Sequence, residues 1–407
     1  MDHFGVAALL AQCSANPQAE IDKLVGRFVI MSSFDSGGIA VQSDAIGMRS
    51  VYFVRDEGQA IVASAATLAC RACHEQDGPT ARMPAKWGYP GMRTPYVDAL
   101  RLPPNISLRL DDGTVCRFFP LEVIEPCTPA DFWDFAFARA SRAVSGMARR
   151  KSLLLSLTAG LDSRTSLAAT RGLWSEIIFF TYQRRNAPSL KCDVLVATDI
   201  ARHLALRHLV IDYTDLDPDA SVIAAINENT FGFHQQKLAC AYKRQFGNQQ
   251  FLHVRTNLLE LARANLYGYN NKRPGLTGGP ATARQMARFY AFAGGLAFSE
   301  EQVAAFDEYV AMTEFACALK FASAWDLFFI EHRMGAWHSG VVAESDVAFD
   351  TVVAFNSRDM IKRILGIPEQ TRTADNILRG RLADMLPEIS GIPINPKNYP
   401  AINAKRR

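Results

Sequence analysis

Hydrophobic positions change their period near Pro126. Before it they come in short runs, at 24–32 (LVGRFVIMS), 39–42, 50–54 (SVYFV) and 60–64, with Gly and Asp between them. Short β-rich runs punctuated in this way predict an antiparallel sheet domain. The stretch ISLRL, a DDG at 111–113 and TVCRFF extend it as a hairpin. After Pro126 the pattern alternates. Residues 130–149 carry apolar side chains at helical spacing. A continuous apolar run follows at 152–157, a helix over 165–171, a second run at 176–182, an amphipathic helix over 193–205, and further runs at 208–212 and 251–255. Strands apolar on both faces, alternating with helices, predict a parallel sheet of α/β type. From residue 283 the chain is mostly helical, with breaks at Gly294-Gly295 and Gly340.

A chain of 407 residues exceeds one ordinary core, so two domains are expected, 1–126 and 127–407. Hydrophobic content of 49% and charged content of 21% describe a globular chain. A net charge of +3 gives no reason to expect nucleic acid or a membrane surface as partner. No apolar run reaches the ~18 residues of a membrane helix. The stretch MDHFGVAALLAQ lacks the basic start of a signal peptide. The eight cysteines are scattered and read as reduced thiols of a cytoplasmic protein. Cys70, Cys73 and His74 match the spacing of a c-type haem attachment, but chance spacing on a small-residue helix is the favoured reading.

The informative stretch is LLLSLTAGLDSRT, 153–165. A strand that ends in small residues and starts a helix exposes backbone N–H groups and the positive end of the helix dipole. Ala159 and Gly160 leave room for an anion, Thr158 and Ser163 add hydroxyls, and Arg164 adds charge. Asp162 fits beside phosphates if it holds a metal ion. The stretch reads equally as a capped helix, with Asp162 or Ser163 as N-cap. It is not a Walker loop, and G-x-G-x-x-G is absent.

Thr158-Ala-Gly-Leu-Asp-Ser163 resembles the Ser-Gly-Gly-x-Asp-Ser pyrophosphate loop of the N-type ATP pyrophosphatases, in the form found in the asparagine synthetase family. Thr replaces the first Ser, and Ala the first Gly. The resemblance continues through Asp193 and its Ala-rich helix. It weakens at HVRTNLLELARANLYGY (253–269): Glu260 falls where the family carries an Asp-Glu pair, and Leu259 stands where the Asp would be. AWDLFFIEHRMGAWHSG (324–340) is similar to the helix that faces the acyl-adenylate, with Asp326, Glu331, Arg333 and Trp337 as its polar and aromatic points. AFNSRDM (354–360) takes the place of the family's Pro-Phe-Leu-Asp turn. LPEISGIPINPK (386–397) resembles the terminal stretch where a lysine reaches the reaction centre, which makes Lys397 the candidate. The first domain resembles the amidotransferase half at Asp44, Gly47 and Tyr52, yet position 2 is Asp2 rather than a nucleophilic Cys, and Cys13 is internal.

The resemblance implies a Rossmann-like PP-loop ATP pyrophosphatase domain behind a β-rich, degenerate N-terminal-nucleophile amidotransferase-like domain. It implies an AMP-forming carbon–nitrogen ligase that uses ATP and Mg2+ and does not hydrolyse glutamine, as in β-lactam synthetases and lasso peptide cyclases. Ser156, Thr158, Ala159, Gly160, Leu161, Asp162, Ser163, Arg164 and Tyr182 would then bind ATP, and Asp162 with Glu260 would hold Mg2+. Arg333 would add charge, Glu331 would take the amine's proton, and Lys397 would stabilise the oxyanion. The partner would be a small molecule or peptide bearing a carboxylate and an amine, and homodimer formation stays open. Two other readings stand beside it: a non-catalytic binding subunit of a biosynthetic complex, and an RNA-modifying enzyme using the same loop. The glycine-rich stretch 268–282 reads either as a lid or as a surface loop.

Overall fold

The computed structural model describes residues 16–33, 37–73, 88–230, 235–247, 250–267, 273, 275–277, 279–373 and 376–399. Asp2, Cys13, His74 and, within the stretch 268–282, residues 268–272, 274 and 278 therefore lie outside the described residues. In chain order the strands are β1 (Val29–Ser33), β2 (Ile39–Ser43), β3 (Val51–Asp56), β4 (Gln59–Ala63), β5 (Leu100–Leu102), β6 (Ile106–Arg109), β7 (Val115–Arg117), β8 (Ser152–Ser156), β9 (Ile177–Gln183), β10 (His208–Asp212), β11 (Phe251–Arg255) and β12 (Asp350–Val353). The first seven form two antiparallel sheets, ordered β1-β2-β6-β7 and β4-β3-β5. The last five form one parallel sheet, ordered β10-β9-β8-β11-β12. The molecule is thus α/β, with a β-rich antiparallel part ahead of it.

Both faces of β8 are covered, which is why its residues are apolar without alternation. Leu153 and Leu155 point into the main core with Phe132, Ala136 and Leu167, while Leu154 enters a second cluster with Phe180, Phe246 and Phe349. The helix Pro129–Ala148 starts with Thr128 as N-cap, its hydroxyl accepting from Asp131 N–H at 3.1 Å, and presents Phe132, Ala136, Ala140 and Val144 to the sheet. The helix predicted over 193–205 begins earlier, at Pro188, and runs to His203. The sequence pattern missed β12. Asp350 breaks the apolar stretch around it, VAFDTVVAF, and the strand pairs only at the edge of the sheet, against β11.

His253 sits in the middle of β11, 2% exposed, with its ring centroid 5.1 Å from both Phe180 and Phe349. Neither ring nitrogen meets a hydrogen-bond partner among the described residues. Burial drives its pKa well below the ordinary value, so it stays neutral. An orphaned polar group of this kind costs about 1–3 kcal/mol. His253→Leu, similar in volume, is expected to stabilise the fold by about 1 kcal/mol, visible by calorimetry as a higher Tm. An unchanged or lower Tm would contradict it.

Candidate functional site

The chain lays down β8 first, moves outward through β9 and β10, then returns to the other side of β8 with β11 and β12. The strand order therefore reverses between β8 and β11. Crevices at such points, beyond the strands' carboxyl ends, are where open α/β sheets bind ligands. Two connections meet there: Leu157–Gly160 after β8, and Thr256–Ala264 after β11.

The first connection leads into the helix Leu161–Ala169. Its N-cap is Gly160, in extended conformation, and no side chain caps the helix. Asp162 and Ser163 therefore are not N-caps. Ser163 instead ties the loop to itself: Thr158 N–H donates to its Oγ at 3.2 Å, the Thr158 and Ser163 hydroxyls lie 3.0 Å apart, and Ser163 Oγ donates to Gly160 O at 3.1 Å. Gly160 N–H donates to Thr158 Oγ1 at 3.1 Å, and Ala159 N–H donates to Asp193 Oδ1 at 2.8 Å. Asp193, on the neighbouring helix, thus puts a carboxylate oxygen on the loop where an anion would sit. Burial raises its pKa and the Ala159 bond opposes that shift. A Cβ at Gly160 would come within 3.2 Å of Thr158 Oγ1, so a larger residue there would press on the hydroxyl that Gly160 N–H binds. Ser156 ends β8 half-buried, and Tyr182 lies near the carboxyl end of β9 with its ring 6.5 Å from Tyr213.

Asp162 accepts from Arg263 at both oxygens, at 2.6 and 2.7 Å. Arg263 closes the short 3-10 turn Leu261–Arg263 after β11, so this pair joins the two connections across the crevice. Glu260 turns back on its own loop, accepting from Leu258 N–H at 2.9 Å. Leu258 is buried with φ at 105°, a conformation that L residues rarely adopt. As placed, this donor set does not fit Mg2+. Arg263 already neutralises Asp162, Glu260 Oε2 accepts from Leu258 N–H, and the described residues contain no cluster of three His, Cys, Asp or Glu side chains.

Arg164 also departs from its expected place. It is 4% exposed and donates to the carbonyls of Ile392 and Pro393, at 2.7 Å each. Burial brings its pKa down to about 10. The tail it holds crosses the loop: Asn395 N–H donates to Ala159 O at 3.1 Å, and Cys192 Sγ donates to Pro396 O at 3.1 Å. Lys397 follows directly and is exposed.

Glu331 and Arg333 are not brought to the loop. They lie on the π-helix Phe329–His338. Glu331 is fully buried and bound to Arg117 of β7 at 2.6 and 3.0 Å, to the Tyr309 hydroxyl at 2.6 Å and to Asn105 Nδ2 at 3.2 Å. A carboxylate with these four donors joins the antiparallel part to the helices and has no lone pair left facing solvent. Arg333 stacks over Trp337 at 3.6 Å. Asp326 is likewise buried, paired with Arg372 at 2.6 and 3.0 Å.

No family model matches the chain, and no curated protein does. Solved structures with some likeness include the U34-tRNA thiolase NcsA of Methanococcus maripaludis, 11% identical at a TM-score of 0.25, covering 63% of this chain and 80% of that one. The NMN synthetase of Francisella tularensis is 15% identical at a TM-score of 0.19, covering 68% and 99%. The glutamine-dependent NAD+ synthetase of Acinetobacter baumannii, in complex with adenosine diphosphate, is 11% identical at a TM-score of 0.20, covering 98% and 86%. At these scores the likenesses carry no argument. No described helix is long and apolar enough to cross a membrane.

Proposed function

We propose that the chain is an ATP-dependent, AMP-forming ligase that adenylates a substrate carboxylate and joins it to an amine without hydrolysing glutamine. The observation that supports this most is the position of the Thr158–Ser163 loop. It lies at the point where the parallel sheet reverses, at the start of a helix whose N-terminus no side chain caps. The pyrophosphate would take the N–H groups of the first helical turn and displace the Asp193 carboxylate from Ala159. Thr158 and Ser163 would hold the loop's shape, and Arg263, held at the crevice by Asp162, would turn a guanidinium N–H to the pyrophosphate. Lys397 is exposed on the tail that touches the loop, and it is the group proposed to stabilise the oxyanion. ATP supplies the activation of the carboxylate, and no step is assigned to Mg2+. Residues 1–126 are proposed as a non-hydrolysing domain of amidotransferase ancestry, with a substrate class of small molecules or peptides.

Asp193 on the loop and Arg263 on Asp162 also favour a second reading, a binding subunit that has lost turnover. The two readings separate in one experiment. The full chain is incubated with magnesium and α-labelled ATP, with and without a small-molecule and peptide extract of its host, and AMP is resolved from ADP. Extract-dependent AMP, reduced at least ~100-fold in Asp162→Asn, is expected. Unaltered ATP with every fraction selects the binding subunit, and ADP as product removes the ligase reading.

A further inference from the structure

Between the antiparallel part and the α/β part lies a cavity of about 250 Å3, lined by β3 residues and by the ends of the helices Ala220–Asn229 and Ser339–Ser345. Asp346, just before β12, forms its floor. The cavity therefore lies by the amino ends of the strands, away from the Thr158–Ser163 loop. Two guanidinium groups converge on this one carboxylate. Arg27 is anchored: it reaches both Asp346 oxygens at 2.6 and 2.7 Å, donates from Nε to Met48 O at 2.8 Å, and its side chain is 4% exposed. Arg49 is not. Its nearest approach to Asp346 is 3.8 Å, its side chain is 42% exposed, and it makes no side-chain hydrogen bond among the described residues. Two other acids act on it from a distance, and both are committed. Asp44 accepts the N–H groups of Ile46, Met48 and Arg49 and the Asn356 amide. Asp350 pairs with Lys151 at 2.7 Å. Arg49 thus faces the cavity with no hydrogen-bond acceptor of its own among the described residues, and burial together with Arg27 pushes its pKa down.

We infer that this cavity is a binding site for a small monocarboxylate, held by Arg49 over the Arg27–Asp346 pair. A monocarboxylate gives Arg49 the acceptor it lacks, whereas a phosphate dianion would bring a second negative charge towards Asp346. The guanidinium fork matches a carboxylate bidentately. Ser64 and Asn229 offer polar walls, while Ile226 and Val347 offer apolar ones. The volume falls below the ~300–1,000 Å3 of drug-sized sites, so the ligand is small.

The test is calorimetry of the full chain with sodium propionate as probe, against sodium chloride and inorganic phosphate at equal ionic strength. Propionate at about ten times its Kd is expected to raise Tm by about 2 °C. Arg49→Gln is expected to remove the shift and leave the unliganded Tm in place, since Arg27 still holds Asp346. Val347→Phe, which fills the cavity from another wall, is expected to remove it as well. No shift with propionate, an equal shift in both variants, or a shift with phosphate alone would overturn the assignment.

Discussion

Glu331→Ala is expected to destabilise the folded chain by about 3–5 kcal/mol, the range for breaking a buried ion pair from one side. The variant leaves Arg117 with its guanidinium fully buried and without a counter-charge. It also strips an acceptor from the Tyr309 hydroxyl and from Asn105. Arg101, itself fully buried and shifted down to about 10 by burial, loses the negative charge that supports it. The loss is electrostatic rather than steric, so the double variant Arg117→Met/Glu331→Leu is expected to recover most of the stability. Urea unfolding of the three proteins decides it. A Glu331→Ala midpoint within error of the parent would show that water enters and solvates Arg117. A double variant as unstable as the single would show that the network is needed for shape as well as charge. If Glu331 instead served catalysis, activity would vanish without loss of stability.

The fold is also expected to be acid-labile, with stability falling as pH drops below about 6.5. Three histidines are held neutral by burial. His332 is lowered to about 3, His208 to about 4, and His253 well below its ordinary value. His332 is stacked on Phe328, with centroids 5.0 Å apart, beside Arg101 and Arg333, whose charges deepen the effect of burial. The sign follows from proton uptake. Between the folded values and about 6.5 the unfolded chain binds protons that the folded chain does not, so stability rises with pH across that window. Each such proton is worth 1.36 kcal/mol per pH unit. Two well-buried rings and the half-buried His208 give a slope of up to about 3–4 kcal/mol per unit near pH 5. Tm measured from pH 8 to pH 4.5 checks it. His253→Leu is expected to flatten the slope by about one proton. A flat profile would mean that these rings charge within the folded chain.

The parallel sheet was visible in the sequence because both its faces are covered, so β8 and β9 announce themselves as apolar runs and β11 as one broken by His253. β12 was not, since a short edge strand broken by an acid has no such signature. The Thr158–Ser163 loop was visible as a local motif. Its partners were not, because Asp193, Arg263 and Asn395 come to it from distant stretches and only the folded chain brings them together. Glu331 shows the limit most clearly. A carboxylate amid aromatic residues has the same sequence signature whether it faces a substrate or an arginine. The available signal was the other partner: Arg117 lies next to Phe118 and Phe119, a cation in a run that otherwise wants to be buried.

The tail that crosses the loop is held through its main chain. Arg164 binds two peptide carbonyls, and Ala159 O accepts a peptide N–H. None of these contacts depends on which side chains the tail carries. Drift at the exposed Pro393 should therefore leave the clasp closed, whereas Ile392 is held by the core and Asn395 by its left-handed φ of 46°, and a shortened chain would leave a buried arginine facing a void. For this segment, selection would act on length and path as well as on spelling.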